Sequence, residues 1–358
     1  MKRVIHVVPT FELGGVQTGI LYSLLELRKE YDFKILVIGV VDHQWIKNLS
    51  HEAQQSIIWS GSKNIIIGWI RSFFLLRKLK PDIVISSLWK SVPLTVAYKL
   101  IHPTAKLLGF FHSAYKTHLV DTFFLKLMSR FQDRAIADSS VTRSFIQQSF
   151  GIQNAEIIFY HFVFQNNNSI QKRIDPQKIK FVYFGRISSA KGVTRAIQFC
   201  KICKENNLSF QFDIYGDGDR PYFQRLIKEH QLEKQISIKA LLPLDAVINT
   251  MQQYDFLLQL SDYEGMALSV VEAMNCGLVP IVTPVGEIQN YSKDGINAIW
   301  LDSPFDNKLF QLFEKLKSSI EHAGTYQKLS AAAATTFVNN KKYSEAMIEV
   351  LDHCLLPN

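Results

Sequence analysis

The sequence predicts an α/β protein made of two doubly wound parallel-sheet domains in tandem. Three observations lead there. The chain has 358 residues, enough for two cores; short apolar runs alternate with amphipathic stretches along its length; and a polar, aperiodic segment near the middle splits the pattern in two. The apolar runs lack clean in–out alternation, as expected of parallel strands covered by helices on both faces.

In the first series, strands are expected at residues 3–8, 33–40, 82–86, 106–111, 134–138 and 157–160. Helices are expected at 16–29, 65–80, 92–101, 119–131 and 141–150. Residues 165–177, with Asn166-Asn167-Asn168, read as a linker. The second series places strands at 179–184, 210–215, 236–239, 256–260, 279–283 and 298–301, with helices between them and long ones at 306–322 and 342–355. The domains are therefore expected at 1–165 and 175–341, with a terminal helix at about 342–358 packing back on the first. Ligands of such sheets bind beyond the carboxyl ends of the strands.

An apolar fraction of 47%, with only 17 Gly and 11 Pro, excludes a disordered or collagen-like chain. Four cysteines are too few for a disulfide scaffold. Cys200 and Cys203 have the spacing of half a zinc site, but no second pair follows, so they read as reduced thiols. The apolar run from Val4 to Val8 is too short for a signal-peptide core, and the longest one, 65–76, is broken by Arg71. A soluble, cytoplasmic protein is expected.

The charge is uneven. Residues 1–170 carry 19 Lys/Arg against 11 Asp/Glu, whereas 171–358 carry 21 against 21. Between Ala53 and Val120 nine bases, Lys63, Arg71, Arg77, Lys78, Lys80, Lys90, Lys99, Lys106 and Lys116, face Asp82 alone. Such a face attracts an anionic bilayer or another polyanion; a solvated surface is the competing reading. Two stretches mix cations with aromatics as an in-plane interfacial helix does: 68–80 has Trp69, Phe73 and Phe74 with Arg71, Arg77, Lys78 and Lys80, and 117–134 has Phe123, Phe124 and Phe131 with Lys126, Arg130 and Arg134.

Gly14-Gly15-Val16 follows the first strand and opens a helix. It is neither G-x-G-x-x-G nor a P-loop, and it reads equally as a close-approach site for a ligand or a tight turn. After the first strand of the second domain, Arg186 and Lys191 place two cations at a helix start. The helix dipole disfavours cations there, so an anionic diphosphate is the better explanation. From 266 to 276 the chain is apolar except for Ser269, Glu272 and Asn275, a single polar stripe on a buried helix. Glu272 needs partners there, and ligand hydroxyls would serve. Glu264 lies eight residues earlier, about 12 Å along a helix axis at ~1.5 Å per residue.

With Glu264…Glu272 followed by Ala273-Met274 and Cys276-Gly277-Leu278-Val279-Pro280, with Arg186…Lys191 and with Gly14-Gly15, the chain resembles glycosyltransferase family 4 over nearly its whole length. That family comprises retaining enzymes of the two-domain GT-B fold. The resemblance implies that Arg186 and Lys191 bind a nucleotide diphosphate, Glu272 the ribose, and Glu264 the transferred sugar. Amides around Gly265, Met266, Ala267 and Leu268 would contact phosphate and sugar. Gly14, Gly15 and Val16 would approach the donor, Gly216 would form a turn beside it, and Leu242 would pack the base. His112, just after a strand, would line the cleft and assist catalysis with Glu264, Arg186 and Lys191.

The chain departs from the family at Tyr160-His161-Phe162-Val163-Phe164, where an Asn-Gly-Val-Asp-like turn is common; acceptor details follow less directly there. The implied activity is metal- and cofactor-independent transfer from a nucleotide-sugar, UDP-linked, to a lipid-linked or cell-surface polysaccharide or lipopolysaccharide acceptor at the inner face of the cell membrane. An epimerase or phosphorylase of the same architecture is the rival, followed by a non-catalytic polyanion-binding protein. No nucleic-acid module accompanies the basic face, so nucleic acid is not an expected partner.

Overall fold

β1 (Arg3–Val8), fully buried from Val4 onward, anchors a parallel sheet with β2 (Asp32–Val37), β3 (Ile57–Trp59), β4 (Ile83–Ser87), β5 (Lys106–Phe111), β6 (Arg134–Ala137) and β7 (Ala155–Ile157). The computed structural model describes residues 1–12, 14–112, 119–162, 172–322 and 324–356. Strand order in this sheet is β3-β2-β1-β4-β5-β6-β7, all parallel. A second parallel sheet holds β8 (Ile179–Phe184), β9 (Phe210–Tyr215), β10 (Ile236–Lys239), β11 (Phe256–Gln259), β12 (Val279–Val282) and β13 (Ile299–Trp300), in the order β10-β9-β8-β11-β12-β13. Both sheets reverse winding beside their first strand, between β1 and β4 and between β8 and β11. Those switch points are where such sheets open a crevice for ligands.

Two compact units result: 1–162 together with 341–358, and 163–340. Each has its own apolar core, one around Ile5, Leu36, Val84 and Phe111 and the other around Phe181, Phe212, Phe256 and Leu316. The helix Tyr343–Leu355 packs on the helix Gly15–Glu30 of the first unit. Asp352 accepts from the Tyr31 hydroxyl, and Glu26 accepts from Ser344. Tyr343 lies in an aromatic cluster with Phe110, Tyr160 and Phe162.

Some elements differ from the expected ones. β3 and the short helices His43–Lys47 and Ser50-capped His51–Ser56 escape a periodicity reading because none exceeds six residues. The last strand of the first sheet is Ala155–Ile157 rather than 157–160, because Tyr160 and Phe162 turn into the aromatic cluster instead of pairing. A further helix, Thr325–Thr335, follows Leu309–Glu321. Most of the expected linker, residues 165–171, lies outside the described residues, as does Lys116 of the basic stretch. Cys200 and Cys203 are buried in the second core, where burial raises both thiols, so the half-site spacing reflects packing. No helix among the described residues is long and apolar enough to cross a membrane.

Candidate active site

At the β8–β11 switch point the second unit gathers the residues singled out above. β8 ends at Phe184, and the next turns carry Arg186 and Lys191. Arg186 is exposed and makes no ion pair among the described residues, while the buried Tyr183 hydroxyl donates to its carbonyl at 2.6 Å. Burial raises the Tyr183 phenol, with Glu264 adding to the effect, so it stays a neutral donor that pins this turn.

Lys191 and Glu264 meet directly, Nζ to Oε2 at 2.7 Å. Glu264 is 7% exposed, and its other oxygen accepts from Ser261 Oγ at 2.7 Å and Gln259 Nε2 at 2.9 Å. A buried carboxylate is tolerable only when so partnered. Glu264 is thus held on one oxygen by neutral donors, while the other faces a partly exposed cation that can turn to an incoming anion.

The loop carrying Glu264 is tied at several points. Asp262 N–H donates to Ala190 O at 3.0 Å, Thr283 Oγ1 to Ser261 O at 2.5 Å, Glu287 N–H to Gly265 O at 3.0 Å and Tyr291 Oη to Met266 O at 3.0 Å. Arg195 reaches Leu260 O at 2.6 Å and pairs with Asp262 and Asp306.

The helix that follows is Leu268–Asn275, shorter than the 266–276 stretch expected. Ala267, at φ 56°, ψ 68°, is a left-handed residue that ends the loop and offers no side-chain cap. Glu264 therefore lies outside the helix, and the 12 Å estimate from helical rise does not apply to its spacing from Glu272. Glu272 is buried on that helix, 6% exposed, with Asn275 nearby in the same turn. Gly216 follows β9 and lies so close to the turn after β8 that a Cβ there would sit 1.9 Å from Gly185 O. Leu242 is half-buried in the loop before the helix Leu244–Met251.

The remaining expected residues belong to the first unit. Gly14 caps the helix Gly15–Glu30 in extended conformation, with open space around Gly15 and Val16 half-buried beside it. His112 follows β5 directly, with both ring nitrogens engaged. Nε2 lies 3.0 Å from Ser87 Oγ, and Nδ1 lies 3.2 Å from Tyr160 Oη and 3.7 Å from Asp138 Oδ2. Ser87 Oγ is in turn 2.7 Å from Nε2 of fully buried His6.

Sequence reasoning missed Gln259, Ser87, Asp138 and His6. The signal was a lone polar residue inside or just after an apolar strand: Gln259 ends Phe-Leu-Leu-Gln, and Asp138 follows Arg-Ala-Ile-Ala.

Burial, with His112 adding, lowers the His6 pKa from 6.5 to about 3. The unfolded chain binds a proton below pH 6.5 that the folded chain refuses until about pH 3. Stability from this residue is therefore complete above 6.5 and falls as the pH drops through that window. Urea unfolding at pH 7 and pH 5 is expected to show a loss about 2 kcal/mol greater for this protein than for His6→Gln. Equal losses would mean that His6 does not titrate in this way.

Comparison with known proteins now bears on the second unit. Residues 164–336 match the family model for glycosyl transferases group 1. This matched region is a glycosyltransferase domain, and it contains Arg186, Lys191, Glu264 and Glu272.

The chain is 31% identical over 125 residues to the GPI3 subunit of phosphatidylinositol N-acetylglucosaminyltransferase of Saccharomyces cerevisiae, spanning 34% of this chain and 27% of that protein. It is 26% identical over 187 residues to the GDP-mannose:cellobiosyl-diphosphopolyprenol alpha-mannosyltransferase of Xanthomonas oryzae, covering 49% and 48% of the two chains. The chain thus spans between a quarter and a half of these curated relatives. Its fold matches Anabaena HepE, solved with UDP and glucose, at TM-score 0.79 and 15% identity over 99% of this chain and 100% of that one. It also matches WaaG, a glycosyltransferase of lipopolysaccharide biosynthesis, at TM-score 0.71 and 14% identity over 99% and 100%. The glycosyltransferase domain and its partner unit together form a GT-B fold.

Proposed function

We propose that the chain is a retaining glycosyltransferase of family 4 that takes its sugar from a nucleotide-diphosphate donor, UDP-linked. The observation that carries this reading is the Lys191–Glu264 pair, braced by Gln259 and Ser261 at the β8–β11 switch point. In this reading Lys191 and exposed Arg186 hold the diphosphate and stabilise the charge that develops as it leaves. Freed of Lys191, Glu264 accepts hydroxyls of the sugar, and Glu272 those of the ribose. The first-turn amides of Leu268–Asn275 add positive potential beside the phosphates. A thermal-shift screen of nucleotide-sugars tests the donor class, because a ligand stabilises by about RT ln(1 + [L]/Kd) without needing the acceptor. No shift with any nucleotide-sugar would count against the reading.

Charge stabilisation by protein groups further implies metal-independent transfer. EDTA is expected to leave the transfer rate unchanged. Loss of activity restored by Mg²⁺ or Mn²⁺ would refute this.

The acceptor we propose is a lipid-linked or cell-surface polysaccharide intermediate, reached at the inner face of the cell membrane through the first unit. The Xanthomonas oryzae relative, whose name gives a diphosphopolyprenol-linked acceptor, supports it, as does one outer face of that unit. On the helix Ile65–Leu79, Ile66, Ile67, Ile70 and Phe74 are exposed beside Arg71, Arg77 and Lys78, while Gly68, Ser72 and Leu76 face inward. The neighbouring helix Val92–Ile101 adds exposed Leu100 and Ile101. Beyond it Leu119–Phe131 exposes Leu119, Val120 and Phe123 beside Lys126 and Arg130. The sheet takes only part of each stripe. Apolar side chains left outward among cations suit an anionic bilayer, each cation adding up to ~1 kcal/mol. Vesicle co-sedimentation should show binding to anionic vesicles at low salt that weakens at high salt. Equally negligible binding to anionic and neutral vesicles at low salt would refute docking.

A further inference from the structure

Four strands of the first sheet deliver one buried polar chain to the region of their carboxyl ends. His6 comes from β1, Ser87 from the end of β4, His112 from just after β5 and Asp138 from just after β6, and Tyr160 closes the chain beyond β7. Tyr160 lies in the segment where the sequence departs from the Asn-Gly-Val-Asp-like turn.

Two proton arrangements satisfy the Ser87 hydroxyl. In one, Tyr160 donates to His112 Nδ1, His112 Nε2–H donates to Ser87, and Ser87 donates to His6 Nε2, which puts the His6 proton on Nδ1. In the other, His6 Nε2–H donates to Ser87 and Ser87 donates to His112 Nε2. The His112 proton then sits on Nδ1, between Tyr160 Oη and the Asp138 carboxylate.

His6 Nδ1 discriminates between them, because it is buried and has no hydrogen-bond partner among the described residues. A buried N–H without an acceptor is rarer and costlier than a lone pair without a donor. The first arrangement strands an N–H there, and the second only a lone pair. Asp138 pushes the same way, since an anionic oxygen 3.7 Å from His112 Nδ1 attracts an N–H and repels a lone pair. Asp138 is itself held, being 4% exposed with Oδ1 accepting from Ser139 Oγ at 2.9 Å.

We propose that Asp138 is the positioning residue of this chain. It fixes His112 with its proton on Nδ1, so that Nε2 presents a lone pair to Ser87 and to any ligand hydroxyl that displaces Ser87. The ligand part rests on the donor reading above; the proton placement does not. Asp138 acts here through its charge, 3.7 Å from Nδ1, which favours the tautomer with the proton on that nitrogen; the hydrogen bond at Nδ1, 3.2 Å, is with the Tyr160 hydroxyl, which can accept that proton or donate to its lone pair.

The test is NMR of the full chain labelled with ¹⁵N-histidine at pH 7.5, with His6 and His112 assigned from His6→Gln and His112→Gln spectra. The expected result is protonation of His112 on Nδ1 and of His6 on Nε2, read on the unchanged protein. Asp138→Asn, whose amide can donate to Nδ1, is expected to move the His112 proton to Nε2, whereas Tyr160→Phe is expected to leave it on Nδ1. A His112 proton on Nε2, or on both nitrogens, in the unchanged protein overturns the proposal. So does a proton that moves in Tyr160→Phe and stays in Asp138→Asn. Donor turnover of Asp138→Asn is measured in parallel. If the tautomer moves and turnover does not, Asp138 keeps its positioning role and it is the reading of His112 as part of the chemistry that fails.

Discussion

Gly192→Ala is expected to cost roughly 3 kcal/mol or more of stability, and the donor site with it. Gly192 sits at φ +73°, a left-handed conformation that strains any residue with a Cβ, and a Cβ built there would lie 1.9 Å from Leu260 O. The obstacle is backbone, so no rotamer change relieves it. Its carbonyl begins the helix Val193–Glu205, accepting from Ala196 N–H at 2.9 Å. Lys191 precedes it, and Leu260 precedes the Ser261–Glu264 brace. Moving either side separates the two halves of the site. Urea unfolding of Gly192→Ala should show a lower midpoint with an unchanged m-value, together with loss of the nucleotide-sugar thermal shift. Stability within 1 kcal/mol of the unchanged protein would mean that the turn relaxes freely.

Lys191→Ala and Glu272→Gln are expected to weaken donor binding ten- to a hundredfold each while leaving the fold intact. Loss of a charge-assisted contact costs ~1.5–3 kcal/mol, which corresponds to that range in affinity. Lys191 is partly exposed, so its removal leaves no cavity, and Glu264 keeps its two neutral donors. Glu272→Gln preserves shape and removes charge at a position packed within the helix Leu268–Asn275. Titration of a fluorescent nucleotide-sugar, with circular dichroism to check folding, measures both variants. Unchanged affinity in the pair would withdraw the assignment of this site to the donor.

Regular elements were legible because burial leaves a periodic trace. β8, β9 and β10 fall at the expected residues: β8 is apolar but for Lys180, as a covered central strand is, while β9 and β10 keep an apolar residue at every second position. The short β3 leaves no such trace. Motif residues of the second unit were legible for a different reason. Charged groups at strand ends, such as Arg186, Lys191 and Glu264, are conspicuous against apolar runs. What joins them was not legible, because Gln259 bonds across a loop whose path is set by the left-handed Ala267 and by donors from Thr283 and Tyr291. Likewise His112 could be noticed alone. Its partners His6, Ser87, Asp138 and Tyr160 come from four other places in the chain, and only the winding order of the sheet brings them together.

The return of the helix Tyr343–Leu355 to the first unit has a consequence for synthesis. The first unit is split in sequence, with the whole of 163–340 lying between its two parts. At roughly 5–20 residues per second, a ribosome leaves on the order of ten to thirty seconds between the two. During that interval Tyr160, Phe162 and Tyr31 lack the Tyr343 ring and the Asp352 carboxylate that later cover and bond them. The second unit, continuous in sequence, can complete its own core first. The domain that emerges earlier is thus the one that finishes later, and its uncovered aromatic face is where a nascent chain of this protein is most open to chaperones and to misassembly.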